Sequence, residues 1–498
     1  MRELTSRGAL TWLVLAVIVA LFPYQPAARA MTRPLDGQAL PVAWIWPGSA
    51  PCNTTLQACV TNASSGDTVL VAQSGTISEQ ITIRDKSLIL TAQTGFNPVI
   101  DAGVVVNSSG GATVDVTISD IDFAHSVLVS LSQGTGNVVT LDHISAVSSG
   151  ADPGVYATVY NESTVNVLHS TFADGGFYPG IELTSPVSHA NLTYNVIGNS
   201  VTGHGRSDNP TGIYLNATDA GTLKVNVYNN AVWDVGQGTP GSTSGGIFLG
   251  ARDSLDADFN VVGNTFSKIA ADGIRVNDEQ DAPNHLSLDL FNNIVAGTTG
   301  SAVNVTSDGE PATFVVRGGR NDFTSNGQKN HTLGNPLGTN LSVTPKFVHP
   351  STGNLALQST SPVIDEGVTC SLGGVAGPDA AGKNRRFRSS VDIGAYEFGA
   401  GQPGLVLLGT SAPDTLTGGA GNDILCGYGG DDTLHGRGNN DLVDGGKGHD
   451  RLFGGPGDDM LCAKDGSGGD HLSGGKGTDA YDADPGDVTA TVEKPSSC

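Results

Sequence analysis

Aspartate recurs every nine residues near the end of the chain, at Asp414, Asp423, Asp432, Asp441, Asp450 and Asp459. Two residues after each stands one apolar side chain: Leu416, Leu425, Leu434, Val443, Leu452 and Leu461. An eleven-residue step then leads to Asp470 and Leu472, and a nine-residue step to Asp479 and Tyr481. The residues between are mostly glycine. Carboxylates at a fixed spacing can do metal chemistry if something stacks them. Here an x-apolar-x triplet makes a short strand that buries one side chain. The six residues before it make a turn, and glycine tolerates the left-handed backbone that such turns need. Two units, or eighteen residues, close one coil of a flattened roll. Each aspartate turn then lies over the turn two units away, at about 4.8 Å. Like charges at that spacing repel unless a cation lies between them. Carboxylate and turn-carbonyl oxygens suit the hard ion Ca²⁺.

These residues resemble the RTX, or haemolysin-type, calcium-binding repeat G-G-x-G-x-D-x-U-x. The cleanest units are 418–426, 445–453 and 454–462. The resemblance implies that each ion is shared by the aspartates of units i and i+2. The metal ligands would then be Asp414 with Asp432, Asp423 with Asp441, Asp432 with Asp450, and Asp441 with Asp459. The first unit, from Gly409, lacks the glycines. The insertion at 463–473 shifts the register, which leaves Asp470 and Asp479 outside the expected sites.

The elements ahead of this roll also repeat. Short alternating runs such as Thr68–Val71, Ile81–Ile83 and Ser87–Leu90 follow a candidate capping helix at Thr55–Asn62. They resemble the first coils of pectin-lyase-like right-handed parallel β-helices. Further on, Gly180, Gly212, Gly246 and Gly273 each open an Ile-x-Leu/Val run. A second signal, Asn-x-apolar, recurs at Asn199, Asn230, Asn264 and Asn292. Steps of 27 to 34 residues give one variable loop per coil. An asparagine at one corner of each coil indicates a β-solenoid with a stacked amide ladder. An immunoglobulin-type sandwich predicts no such phase. The segment 361–398, ending Val391-Asp-Ile-Gly-Ala-Tyr-Glu-Phe398, resembles the ending of bacterial β-helix surface proteins of the choice-of-anchor Q type. It is read as the last coil and its cap.

The fold class expected is therefore all-β, a right-handed parallel β-helix followed by a calcium-binding parallel β-roll. The organisation expected is a signal peptide at 1–30, a Pro/Trp-rich spacer at 31–51 and the β-helix at 52–398. A linker at 399–408, the roll at 409–482 and a tail at 483–498 complete it. Arg2 and Arg7 precede the apolar run Leu10–Phe22, and Ala28-Arg29-Ala30 supplies a small-x-small cleavage pattern. That predicts a secreted or cell-surface protein with no membrane span after cleavage. Six cysteines fit an oxidising compartment. Cys52 and Cys59 are expected to pair across a short loop. Cys426 and Cys462 lie two coils apart, about 10 Å, too far to pair directly. Partners for Cys370 and Cys498 do not follow from spacing.

The net charge is -24, and from Gly409 onward sixteen acidic residues face six basic ones. Such a surface excludes nucleic acid, which needs a positive footprint. In the β-helix, the residue between two buried apolar positions points outward. Coil by coil that residue is Tyr156, Glu182, Tyr214, Phe248, Arg275 and Asn304. An aromatic row with an acid and a base is a candidate polysaccharide-binding face, with His204, Arg206, Asp208, Arg252, Asp253 and Asp278 in nearby loops. A β-helix with calcium repeats is also the layout of bacterial mannuronan C5-epimerases. Their Asp-Pro-His-Glu motif is missing, and Asp152-Pro-Gly154 does not replace it. The function expected is a calcium-binding extracellular solenoid that binds a glycan or another partner. The alternative is a calcium-dependent polysaccharide lyase, epimerase or hydrolase, with no recognisable catalytic motif.

Overall fold

The structure is a computed structural model. It describes residues 41–498 except 148–152, 174–177, 187–189, 205–210, 219–220, 237–243, 253–255, 279–284, 308–313, 329, 333–336, 369, 371–378, 382, 384, 386–389, 400–403 and 497–498. The stretch expected to be a signal peptide, the spacer residues 31–40, Arg206, Asp208, Asp253 and Cys498 thus lie outside the described residues. Among the described residues, no helix is long and apolar enough to cross a membrane.

The body is a parallel β-helix. Its described strands form three parallel sheets of eleven, ten and ten strands, each visited once per coil. Valine, isoleucine and leucine alternate inward along most of the longer strands, as in Asn137–Asp142 and Val155–Val159. They build one continuous core from Trp46 to Val316. The first strand, Ala43–Trp46, falls inside the stretch read as a spacer and pairs with Asp67–Val71. Asp67 explains why. Its carboxylate accepts Val42 N–H at 2.8 Å and Trp44 Nε1–H at 2.8 Å.

The capping helix is present at Leu56–Asn62 and buries Leu56, Cys59 and Val60 over the open end of the core. The Thr55 side chain caps it by accepting Ala58 N–H. Glu79 accepts the N–H groups of Leu56 and Gln57, and Lys86 donates to the carbonyls of Val60, Thr61 and Ala63. Every orphan group of so short a helix needs such partners. A disulfide joins Cys52 to Cys59 with Cα atoms 4.4 Å apart.

At one corner each coil turns through a left-handed residue, among them Asp120, His143, His169, Asn229, Asn292 and Arg320. The next residue carries the asparagine ladder. Asn199, Asn230, Asn264, Asn293 and Asn321 are fully buried or nearly so, and the amides stack with Nδ2 to Oδ1 distances of 3.0 Å. The fourth member is Asn293, one residue beyond the expected Asn292. In the pair Asn292-Asn293 the first takes the left-handed corner, a conformation asparagine tolerates better than most side chains.

The segment after the last coil is not a coil. Phe347–His349 and Asn354–Leu357 pair antiparallel. Phe347, Leu355, Leu357, Val363, Ile393 and Ala395 pack on the outer face of the third sheet, against Ala231, Ile294 and Ala296. The flap is locked by Arg385, which is buried and donates to Asn229 Oδ1, to Gly394 O at 2.8 Å and to Glu397 at 3.3 Å. The match to a cap was therefore placed wrongly. The segment covers the flank of the β-helix because its apolar residues meet an apolar outer strip there.

The C-terminal roll has two parallel sheets, six and five strands among the described residues. Pairing runs eighteen residues apart, as in Leu416↔Leu434↔Leu452 and Leu425↔Val443↔Leu461. These side chains form a thin core. The roll is longer than the motif. Val406–Leu408 lies in the stretch read as linker, and Val488–Ala490 and Lys494–Pro495 lie in the stretch read as tail. The six-stranded sheet also carries apolar residues on its outer face. Ile424, Cys426, Leu442, Met460 and Cys462 pack against Val391 of the flap. A disulfide between Cys370 and Cys426, Cα atoms 5.6 Å apart, ties the flap to the roll.

Candidate functional site

The aspartates of the roll form a continuous ladder. In each, Oδ1 accepts the backbone N–H of the aspartate one coil earlier. The chain of bonds runs Asp414 N to Asp432, Asp423 to Asp441, Asp432 to Asp450 and Asp441 to Asp459, at 2.7–2.9 Å. It continues from Asp450 to Asp470 and from Asp459 to Asp479. Asp470 and Asp479, expected to lose their phase, keep it, because the two extra residues are absorbed outside the ladder. Non-motif residues close both ends. Leu405 donates to Asp423, Asp470 N–H donates to Asp487, and Asp479 N–H donates to Glu493. That is why strands extend beyond the motif on either side.

The second oxygen is different. In Asp432, Asp441, Asp450, Asp459, Asp470 and Asp479, Oδ2 is buried and has no hydrogen-bond partner. A buried, unpartnered carboxylate oxygen is costly. Asp414 and Asp423 depart from the pattern. Asp414 Oδ2 accepts from the N–H and hydroxyl of Thr410, and Asp423 Oδ2 accepts from Gly419 N–H.

Except at Asp470, whose turn has Asp465 in that place, each orphan oxygen sits over the first glycine of its own turn. A methyl group added at Gly427 would lie 2.4 Å from Asp432 Oδ2 and 2.4 Å from the carbonyl oxygen of Gly445. At Gly454 it would lie 2.2 Å from Asp459 Oδ2 and 2.7 Å from Gly474 O, and at Gly474 2.3 Å from Asp479 Oδ2 and 2.3 Å from Thr491 O. A carboxylate oxygen and a turn carbonyl therefore converge on a hollow that any side chain would fill. Burial pushes Asp441 up to about 8, Asp459 to about 7 and Asp450 to about 6. Neighbouring aspartates add to that rise, and the N–H groups they accept oppose it. The donor set, all oxygen and rich in carboxylate, fits Ca²⁺.

Residues 406–434, 427–461 and 435–468 match the family model of the RTX calcium-binding nonapeptide repeat. The C-terminal region carries calcium-binding RTX repeats. Among solved structures, the chain is similar to the crystal structure of pectate lyase Pel9A. Identity is 12%, and the TM-score is 0.30 over 72% of this chain and 97% of that one. So distant a likeness assigns no activity. No curated protein matches the chain.

On the second sheet of the β-helix the expected outward row is in register. Tyr156 pairs with Glu182, Glu182 with Tyr214, Tyr214 with Phe248, Phe248 with Arg275 and Arg275 with Asn304. Not all of it is available. Tyr156 is 36% exposed, but Phe248 is only 3% exposed. The Phe248 ring stacks on Tyr214 with centroids 4.9 Å apart and lies along its own strand over Gly250. It is a packing residue rather than a free stacking platform. Arg275 Nη1 donates to Asp272 Oδ2 at 3.0 Å, and Asn304 donates to the same oxygen at 2.8 Å. Together with Ser244, Thr299, Gly300 and Gln328 they line a small cavity of about 180 Å³. Burial raises the Glu182 carboxyl above its ordinary range. Of the loop residues, His204 is buried and contacts the Tyr178 carbonyl at 3.3 Å.

Proposed function

We propose that the chain is an extracellular calcium-organised solenoid. In this reading Ca²⁺ fills the hollows of the RTX roll, held by Asp432, Asp441, Asp450, Asp459, Asp470 and Asp479 with backbone carbonyls of the facing turns, among them those of Gly445, Gly474 and Thr491. Asp414 and Asp423 contribute only by rearranging. The row of unpartnered Oδ2 atoms carries the reading, because an oxygen-lined hollow with no donor is resolved by a hard cation. The ion's binding energy is then folding energy of the roll. Calcium titration of the full chain, followed by calorimetry and far-ultraviolet circular dichroism, tests it. Gly436→Ala puts a methyl group 2.3 Å from Asp441 Oδ2, whereas at Gly429 the nearest atom is Lys447 O at 3.7 Å. Gly436→Ala should therefore weaken the calcium response, and Gly429→Ala should leave it intact. Equal effects would overturn the assignment.

For the β-helix we propose a surface that binds an extracellular polysaccharide or partner through Tyr156, Glu182, Tyr214 and Arg275. The in-register row supports this, with Phe248 supporting the ring of Tyr214. A lyase or epimerase is the second reading, favoured by the raised Glu182 carboxyl, with the Arg275 cation three coils along the same row. Incubation with acidic polysaccharides separates them. Retention on the glycan without unsaturated product supports binding, and product lost in Glu182→Gln supports turnover.

A further inference from the structure

One carboxylate and two imidazoles cluster on the β-helix, a donor set unlike the all-oxygen one of the roll. Asp142 ends a strand of the first sheet, Asn137–Asp142. His143 and His169 occupy the left-handed corner of consecutive coils, with φ of 51° and 45°. The register Asp142↔Leu168 stacks the two corners, and the bonds His143 N–H to Leu168 O and His169 N–H to Ile197 O hold them. Both imidazoles leave the corner on the same side. His143 Nδ1 lies 2.8 Å and His169 Nδ1 2.9 Å from one oxygen, Asp142 Oδ1. The ring centroids are 5.1 Å apart. The three donor atoms all lie within 4.8 Å of one another.

We propose that Asp142, His143 and His169 bind a divalent transition ion of the Zn²⁺ class. Two imidazole nitrogens and a carboxylate oxygen form a donor set that selects Zn²⁺, Ni²⁺ or Cu²⁺ over Ca²⁺. Bonds of about 2.0–2.1 Å put neighbouring ligand atoms about 2.9 Å apart at a right angle and about 3.4 Å apart at the tetrahedral angle. The two imidazole–carboxylate separations need to open by no more than about half an ångström to meet that range, and the two imidazole nitrogens lie within 4.8 Å of each other. The ion would displace the protons that now link each imidazole to Asp142. Side-chain exposures of 53% for His143, 28% for Asp142 and 10% for His169 leave the cluster open on one side. Three protein ligands leave at least one position for water or for a donor from a partner. The site stands independently of the calcium reading.

The test uses the full chain in excess calcium, so that the roll is satisfied. Zinc is titrated by calorimetry and cobalt by visible absorption. The expected result is one tight zinc equivalent and cobalt ligand-field bands. Both should be lost in the double variant His143→Asn, His169→Asn, since asparagine tolerates the left-handed corner. Asp142→Asn keeps an acceptor for both rings and serves if the double variant does not fold. It should weaken zinc by more than the roughly 10–100-fold that loss of an outer-shell partner costs. Absence of stoichiometric zinc in the wild type would overturn the proposal. So would unchanged zinc affinity in a folded variant, since the other histidines would then be the ligands.

Discussion

Both solenoids solve the same problem at the corner of each coil, with side chains that differ by one atom. In the β-helix the corner carries asparagine. Oδ1 of Asn264 accepts both the N–H and the Nδ2–H of Asn230, while its own Nδ2 donates to Val227 O and to Asn293. An amide donates and accepts, so the stack closes on itself. In the roll the corner carries aspartate. Oδ1 of Asp450 accepts Asp432 N–H in the same manner, but Oδ2 has nothing to accept from. A carboxylate has no donor to offer. The neutral ladder is complete in protein atoms alone, whereas the charged one is complete only with a cation. Core size amplifies the difference. The β-helix buries large side chains in every coil, including Phe123, Phe172, Tyr194, Phe259 and Phe266. The inner core of the roll is a file of leucines and valine.

The largest effect expected is therefore a steep loss of stability in the roll alone on removing calcium. Hydrogen exchange read by mass spectrometry should show protection collapsing across 406–495 in chelator and persisting across 104–319. The apolar outer strip of the roll against Val391 and the Cys370–Cys426 disulfide keep the segment tethered, so collapse should reverse on adding calcium. Full protection of the roll in chelator would remove the distinction between the two ladders.

Next in size is a break in the neutral ladder. Asn264→Ala strands the N–H and amide of Asn230 and the carbonyl of Val227 in a buried corner. At about 1–3 kcal/mol for each stranded group, the β-helix should lose about 3 kcal/mol or more. Calcium should not alter that loss. A denaturation midpoint for the β-helix that recovers with calcium would contradict it.

What could be read in the sequence was what repeats. The nine-residue aspartate phase showed the roll, and Asn199, Asn230 and Asn264 showed the coil corner, because stacked coils must present like residues in register. What depended on packing between non-repeating parts could not be read. Phe248 stands in an outward phase, yet its ring folds over Gly250 and onto Tyr214. Segment 361–398 resembles the ending of β-helix surface proteins, but its Val363, Ile393 and Ala395 meet an apolar strip on the flank. Leu405, Asp487 and Glu493 extend the ladder without belonging to the motif. His143 and His169 sit in adjacent coils, and no spacing rule marks them, since loop length varies from coil to coil.

Acid should act oppositely on the metal-free and calcium-loaded roll. Without metal, burial holds Asp441, Asp459 and Asp450 at about 8, 7 and 6, above the unfolded value of about 3.9. A carboxyl raised in the folded state contributes stability that is fully present below the unfolded pKa and is lost as pH rises through the folded pKa. The metal-free roll should thus gain stability as pH falls from about 8 to about 4, protons standing in for the cation. With calcium bound, the same protons compete for the ligands and stability should fall. Urea midpoints at pH 5 and pH 8, in metal-free and calcium-containing buffer, check both slopes. Parallel slopes would mean that the buried oxygens do not govern the roll.

The smallest effect tests the one-atom difference directly. Asp432→Asn keeps Oδ1 as acceptor for Asp414 N–H, now 2.7 Å away. The new amide nitrogen replaces the orphan Oδ2 beside the carbonyl of Gly445, to which it can donate. Repulsion from Asp414 and Asp431, which helps raise the Asp432 carboxyl after burial, also disappears. One rung of the roll then resembles a rung of the β-helix. The metal-free roll should become more stable by about 1 kcal/mol, the usual net worth of a hydrogen bond. The calcium-loaded roll should become less stable, because one charged ligand is gone. Opposite shifts of the urea midpoint with and without calcium are the signature. If Asp432→Asn destabilises both states, the donor missing from the carboxylate is not what makes the roll depend on its ion.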